Sequence, residues 1–89
     1  MKKIVLENGL ELEVNEQCLN NMELLDALEE MTEGDELSMS KVVKLMLGKE
    51  NRKKLYDSIR HKDGRVPLED VDKCLTEIMM LLGEQGKNS

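Results

Sequence analysis

Phenylalanine and tryptophan are absent from this chain of 89 residues, and Tyr56 is its only aromatic residue. The interior must therefore be built from Leu, Ile, Val and Met. With seven methionines and no large rigid rings, such a core packs less firmly and repacks more readily than an aromatic one. A chain this short is one domain by default and only marginally stable alone, which leaves room for self-association or for a partner that covers leftover apolar surface. Histidine occurs once, at His61, and the two cysteines, Cys18 and Cys74, are too far apart in the chain to form a CxxC pair. These residues do not make a metal site at any familiar spacing, and free thiols in a reducing cytoplasm are expected. Long apolar runs are also missing. The start Met1-Lys2-Lys3 is followed by only Ile4-Val5-Leu6 before Glu7, too short for the apolar region of a signal peptide, and no run is long enough to cross a bilayer.

Positive charge is in deficit. Thirteen basic residues face nineteen acidic ones, for a net charge of -6. This speaks against nucleic acid, whose phosphates need a positive surface, and against an anionic membrane. The densest basic stretch is Arg52-Lys53-Lys54, with Arg60-His61-Lys62 further on. It reads as a solvated helix face and a positive helix C-terminus, or more sharply as a local docking patch for an anionic group.

The hydropathy pattern changes period along the chain. Ile4, Leu6, Leu10, Leu12 and Val14 alternate with mostly polar residues around Asn8-Gly9, the mark of a β-hairpin over residues 3–14. A three-residue loop, Glu7-Asn8-Gly9, sets Leu6 opposite Leu10 and Ile4 opposite Leu12. It thereby gathers the apolar side chains on one face, with Gly9 left-handed. A lone hairpin is unstable in water, so that face must pack on helices. Near residue 20 the period becomes helical. Helices are expected at about 21–32, 38–47, 49–62 and 67–82. Asn20 or Asn21 caps the first, and from Asn20, Glu23 completes a capping box. Thr32-Glu33-Gly34-Asp35 ends it, Gly48 stops the second, Asp63-Gly64 closes the third, and Pro67 opens the fourth at its first position. Leu68, Val71, Leu75, Ile78 and Leu82 form a seam on the fourth. Gly83 is expected to end it, leaving residues 84–89 as a disordered tail. The fold class is mainly α: an amino-terminal hairpin followed by a bundle of about four helices (α+β by strict count), one domain over residues 1–83.

No catalytic constellation emerges. His61 lacks an evident orienting partner, the serines lack a nucleophile-elbow context, and the glycines sit at element ends, not in a phosphate-cradling loop. No catalytic, metal-binding or cofactor-binding residue is assigned. The helix–Asp63-Gly64–helix stretch has the outline of an EF-hand, but aligning Gly64 with the loop glycine puts Ile59 at the first ligand position, where a hard cation needs oxygen. The run Ile78-Met79-Met80-Leu81-Leu82 carries more apolar surface than one seam can bury. Either that helix is covered on several sides, or Ile78, Met79, Met80 and Leu81 form a partner-binding or self-association surface suited to adaptable Met contacts.

Residues 42–71, VVKLMLGKENRKKLYDSIRHKDGRVPLEDV, and the upstream NMELLDALEE resemble the tail assembly chaperones of tailed phages and prophages. The motif positions are Leu47-Gly48, Leu55-Tyr56-Asp57 and Asp63-Gly64-Arg65-Val66-Pro67, so Gly48, Tyr56, Asp57, Gly64, Val66 and Pro67 are the structural residues it singles out. The resemblance implies a non-enzymatic protein that binds the tape measure protein in the host bacterial cytoplasm, keeps it soluble, helps recruit tail tube subunits and is absent from the mature virion. It also implies a longer frameshifted form, for which Gln85-Gly86-Lys87 can be encoded by a slippery run. The hairpin is not matched to the family. Two other classes remain open: a regulatory module with a degenerate, non-calcium-binding EF-hand-like pair, and a small adaptor that completes another protein's fold.

Overall fold

The computed structural model describes residues 1–87, with side chains as far as Gly83. Strands β1 (Lys2–Val5) and β2 (Glu11–Val14) pair antiparallel, with Ile4 opposite Leu12 and Lys2 opposite Val14. The loop is the three-residue one. The Leu6 amide donates to the Leu10 carbonyl at 2.9 Å and the Gly9 amide to the Leu6 carbonyl at 2.8 Å. Asn8 Oδ1 accepts from the Leu10 amide at 2.9 Å, and Gly9 has φ 89. This register buries Ile4, Leu6, Leu12 and Val14 on one face. A slip of one residue would turn that whole set to water.

A 3₁₀ turn, Glu16–Leu19, follows the hairpin and was not anticipated. Its signal lies in Asn15, whose Oδ1 accepts from the Gln17 amide at 3.0 Å, an Asx cap two residues long. Asn21, not Asn20, caps α1 (Met22–Thr32), accepting from the Glu23 amide at 3.0 Å. Glu23 is then at the second helical position and the capping box does not form. At the other end the Asp35 amide reaches the Glu30 carbonyl and the Gly34 amide the Met31 carbonyl, with Gly34 at φ 103. This is a Schellman closure. The Ser38 hydroxyl, buried and shared between Glu30 and Asp35, fastens the next helix to α1.

The second and third expected helices are one element, α2 (Leu37–Ile59), broken at Gly48 by φ 76, ψ -179. The described residues therefore hold three helices, not about four. Gly48, where a stop was expected, is the one non-helical residue between the two arms, so the break falls at the expected place, and without a longer linker the arms make one bent element. The helix also ends at Ile59, short of residue 62, because Arg60 is extended (φ -67, ψ 133). The chain then makes a second three-residue loop of the same design as the hairpin's. The His61 amide donates to the Arg65 carbonyl, the Gly64 amide to the His61 carbonyl, and Asp63 Oδ1 accepts from the Arg65 amide, with Gly64 at φ 91.

α3 (Leu68–Lys87) starts one residue later than expected, so Pro67 is the residue flanking the helix and not its first position, and its carbonyl accepts from the Val71 amide. Val71, Leu75, Ile78 and Leu82 are buried as the seam requires, but Leu68 is 56% exposed. Gly83 does not end the helix. It keeps out of the left-handed region, and a helical glycine costs only about 1 kcal/mol relative to alanine. Residues 84–87 thus continue α3 where a disordered tail was expected, and residues 88 and 89 lie outside the described residues. The hairpin's apolar face closes one shared core with Leu24, Val42, Leu55, Leu75 and Ile78. Lys2 Nζ donates to the Leu81 carbonyl at 2.8 Å, the Glu7 amide to Glu77 Oε2 at 2.7 Å, and Asn51 Nδ2 to the Glu13 carbonyl at 2.8 Å.

Candidate functional site

The apolar run of α3 is mostly consumed by the core. Ile78 is fully buried, so it has no surface to present and is corrected from a partner-binding residue to a core residue. Met79 and Leu81 are half-buried against the core, and only Met80, 62% exposed, faces water. Five consecutive helical residues point all the way round the helix axis. Here the hairpin covers a side that a bare helix bundle would have left open, through β1 and the Lys2–Leu81 bond. What remains on that side is one methionine, not a surface.

Exposed apolar area gathers elsewhere. Leu37 (86% exposed) and Leu68 (56% exposed) stand on a groove of about 410 Å³ whose walls also include Met39, Tyr56, Val66 and Val71. Glu36 and Arg60 also line it. The local cause is the break at Gly48. In a straight helix Met39 and Tyr56 would lie about 25 Å apart along the axis. The bend brings both arms of α2 to one groove, and the His61–Arg65 loop sets the start of α3 against them.

Tyr56 and Arg60 are shared with an adjoining depression of about 490 Å³ lined by Lys49, Glu50, Arg52 and Lys53. The basic stretch of the sequence is thus the continuation of the apolar groove. Among the described residues Lys49, Arg52 and Lys53 make no ion pair, whereas Arg60 is held by Asp57 at 3.2 Å and by the Gly64 carbonyl at 2.8 Å.

The six motif residues divide accordingly. Tyr56 and Val66 line the groove; Gly48 and Gly64 supply the left-handed backbone that shapes it; Asp57 orients Arg60; Pro67 flanks the start of α3. Leu37, Met39 and Leu68 were missed as site residues, whereas Arg60 falls in the basic stretch already marked as a possible docking patch. Leu68 was misread as seam because it lies three residues before Val71, yet it stands 56% exposed on the groove.

Elsewhere the chemistry is sparse. No group of three His, Cys, Asp or Glu side chains that could hold a metal ion is found among the described residues. Asp63 is engaged: Arg65 Nε donates to its Oδ2 at 2.7 Å, and that bond, with the Arg65 amide, holds the carboxyl below its ordinary value. His61 does have a neighbour, with Nε2 3.7 Å from Asp70 Oδ2, although both are solvent-facing. Burial pushes the Cys18 and Cys74 thiols up from their ordinary value, and for Cys74 the nearby Glu77 and Asp70 add to the shift. Both are free thiols. No helix is long and apolar enough to cross a membrane among the described residues. No family model, curated protein or solved structure matches this chain.

Proposed function

We propose that this chain is a non-enzymatic protein-binding module of the phage tail assembly chaperone kind, acting in the host cytoplasm to hold the tape measure protein soluble and to help recruit tail tube subunits. The observation that supports this reading is the groove. Leu37 and Leu68 are large apolar side chains left in water beside Met39, Val66 and Tyr56. An apolar groove between helices, with adaptable Met in its wall, suits a helical segment laid in by its apolar face. Of the motif residues of the resemblance, Tyr56 and Val66 line this groove and Gly48 and Gly64 shape it. The earlier candidate surface, reduced to Met80, plays no part in the reading.

The test is co-expression with a tape measure protein encoded beside this chain's gene. Wild type should keep it in the soluble fraction. Leu37→Glu with Leu68→Glu, both at exposed positions, should leave the chaperone folded and drop the tape measure protein into the pellet. If the double variant is folded and its client stays soluble, the groove is not the client site.

A further inference from the structure

Charge is unevenly distributed along this chain. Residues 4–40 contain eleven carboxylates and no lysine or arginine, whereas residues 41–65 contain nine basic and three acidic residues. The fold turns this into two unlike surfaces. The outer side of α1 presents Met22 and Leu25, 66% and 57% exposed and three residues apart, with Asp26 and Glu29 exposed on the following turn. The other surface is the apolar groove at Leu37 and Leu68, with Glu36 in its lining, which runs at Tyr56 and Arg60 into a depression where Lys49, Arg52 and Lys53 outnumber the single carboxylate of Glu50. One is an acidic helix with two apolar anchors at helix-in-groove spacing; the other is an apolar groove with a basic flank.

We infer that the groove of one copy receives α1 of a second copy. Met22 and Leu25 enter the apolar part, and Asp26 and Glu29 lie along Arg52, Lys53 and Arg60. This rests on the reading of the groove as a protein-docking site and names an occupant for it. The charges argue for this occupant over an arbitrary apolar helix. A net-negative protein repels its copies at long range, and only a contact that brings the acidic segment onto the basic one reverses the sign. Each copy carries one of each surface, so the contact joins unlike patches. It closes into a pair only if both contacts form at once, and otherwise continues from copy to copy. In either case self-docking covers the groove when no client is present.

Sedimentation equilibrium of the full chain tests this, with salt raised from about 0.01 M to about 1 M so that the screening length falls from about 30 Å to about 3 Å. Wild type should associate at low salt and weaken at least about tenfold at high salt, as expected when exposed charges carry the contact. Leu37→Glu/Leu68→Glu and Met22→Gln/Leu25→Gln should each lose self-association alone, with unchanged helical content. Mixed in equal amounts they should form a one-to-one species, because the intact α1 of the first fits the intact groove of the second. A wild type that is monomeric at low salt, or association indifferent to both variants, overturns the inference. If wild type is monomeric while the groove variant still loses the tape measure protein, only self-docking fails. If self-docking behaves as described but the groove variant keeps the tape measure protein soluble, the client reading fails instead.

Discussion

Replacing Gly48 and Gly83 by alanine should move stability in opposite directions, although both glycines lie within helical elements. At neither position does an added Cβ meet any atom within 4 Å, so space does not decide the outcome. Conformation does. Gly48 has φ 76 and ψ -179, a region reserved almost wholly for glycine, where another residue costs about 1–3 kcal/mol. Alanine would also favour an unbroken helix, which the bent native fold cannot accept without losing the packing of Met46, Leu47 and Leu55. A net loss of about 2 kcal/mol is expected, and in a domain of this size that lowers Tm by roughly 8–16 °C. Gly83 keeps out of the left-handed region within α3, so alanine there removes unfolded-state entropy and gains roughly 0.5–1 kcal/mol. Thermal melts followed by circular dichroism, with urea unfolding to supply the free energies, measure both. A Gly48→Ala protein as stable as wild type would refute the claim that the break is held against the backbone's preference. A destabilised Gly83→Ala would refute the continuation of α3 through that residue.

Ile78→Ala should cost about 2–5 kcal/mol, since a fully buried side chain is removed and a cavity is left, whereas Met80→Gln should stay within about 0.5 kcal/mol of wild type; equal effects in urea titrations would contradict the division of the apolar run drawn above. Asn21→Ala should destabilise by about 1 kcal/mol through loss of the bond to the Glu23 amide, and Asn20→Ala should not, a contrast legible in the same assay. The Asp63 carboxyl should titrate below its ordinary value of 3.8. Its contribution is present above that unfolded value and is lost as pH falls through the lower folded one. A carboxyl-carbon NMR titration reads it, and Arg65→Ala should return it toward 3.8. Both thiols, raised by burial, should react with a thiol-specific reagent at neutral pH more slowly than a free cysteine, and buried Cys74 more slowly than Cys18.

The hairpin was legible down to its register, because period-2 alternation and Asn8-Gly9 together admit only one loop that gathers Ile4, Leu6 and Leu12 on the same side. The end of α1 was legible through Gly34, whereas its start was narrowed only to Asn20 or Asn21, since either asparagine can cap and the capping-box spacing pointed to the wrong one. The helix count was not legible. A glycine between two helical patterns reads as a stop, and whether it ends a rod or bends it depends on what the second arm packs against, which is tertiary information. The burial of residues 78–81 was also out of reach of a helix-by-helix reading, since the cover comes from β1, about eighty residues away in sequence. Leu37 and Leu68 each lie at the first turn of a helix, where periodicity has only one side to work with. Spacing cannot tell a seam residue from an exposed one at such positions.

The groove owes more to two glycines than to any apolar run, which is why following apolar runs leads to the wrong end of α3. Gly48 brings the two arms of α2 together, and Gly64 turns the chain so that Val66 and Leu68 join them. The loop at His61–Arg65 repeats the hydrogen-bond pattern of Leu6–Leu10, so one local device, Asn or Asp followed by a left-handed glycine, serves both the hairpin and the groove. In the hairpin it aligns residues that the core then buries. In the groove it aligns residues that the core leaves uncovered, and the only aromatic ring of the chain, Tyr56, stands in that half-buried wall. The aliphatic core that covers Leu55 completely covers its neighbour only in part. The core of this chain and its candidate recognition surface are therefore built from adjacent residues of the same helix arm, about 100° apart round its axis, and Tyr56 joins them by packing on the core while lining the groove.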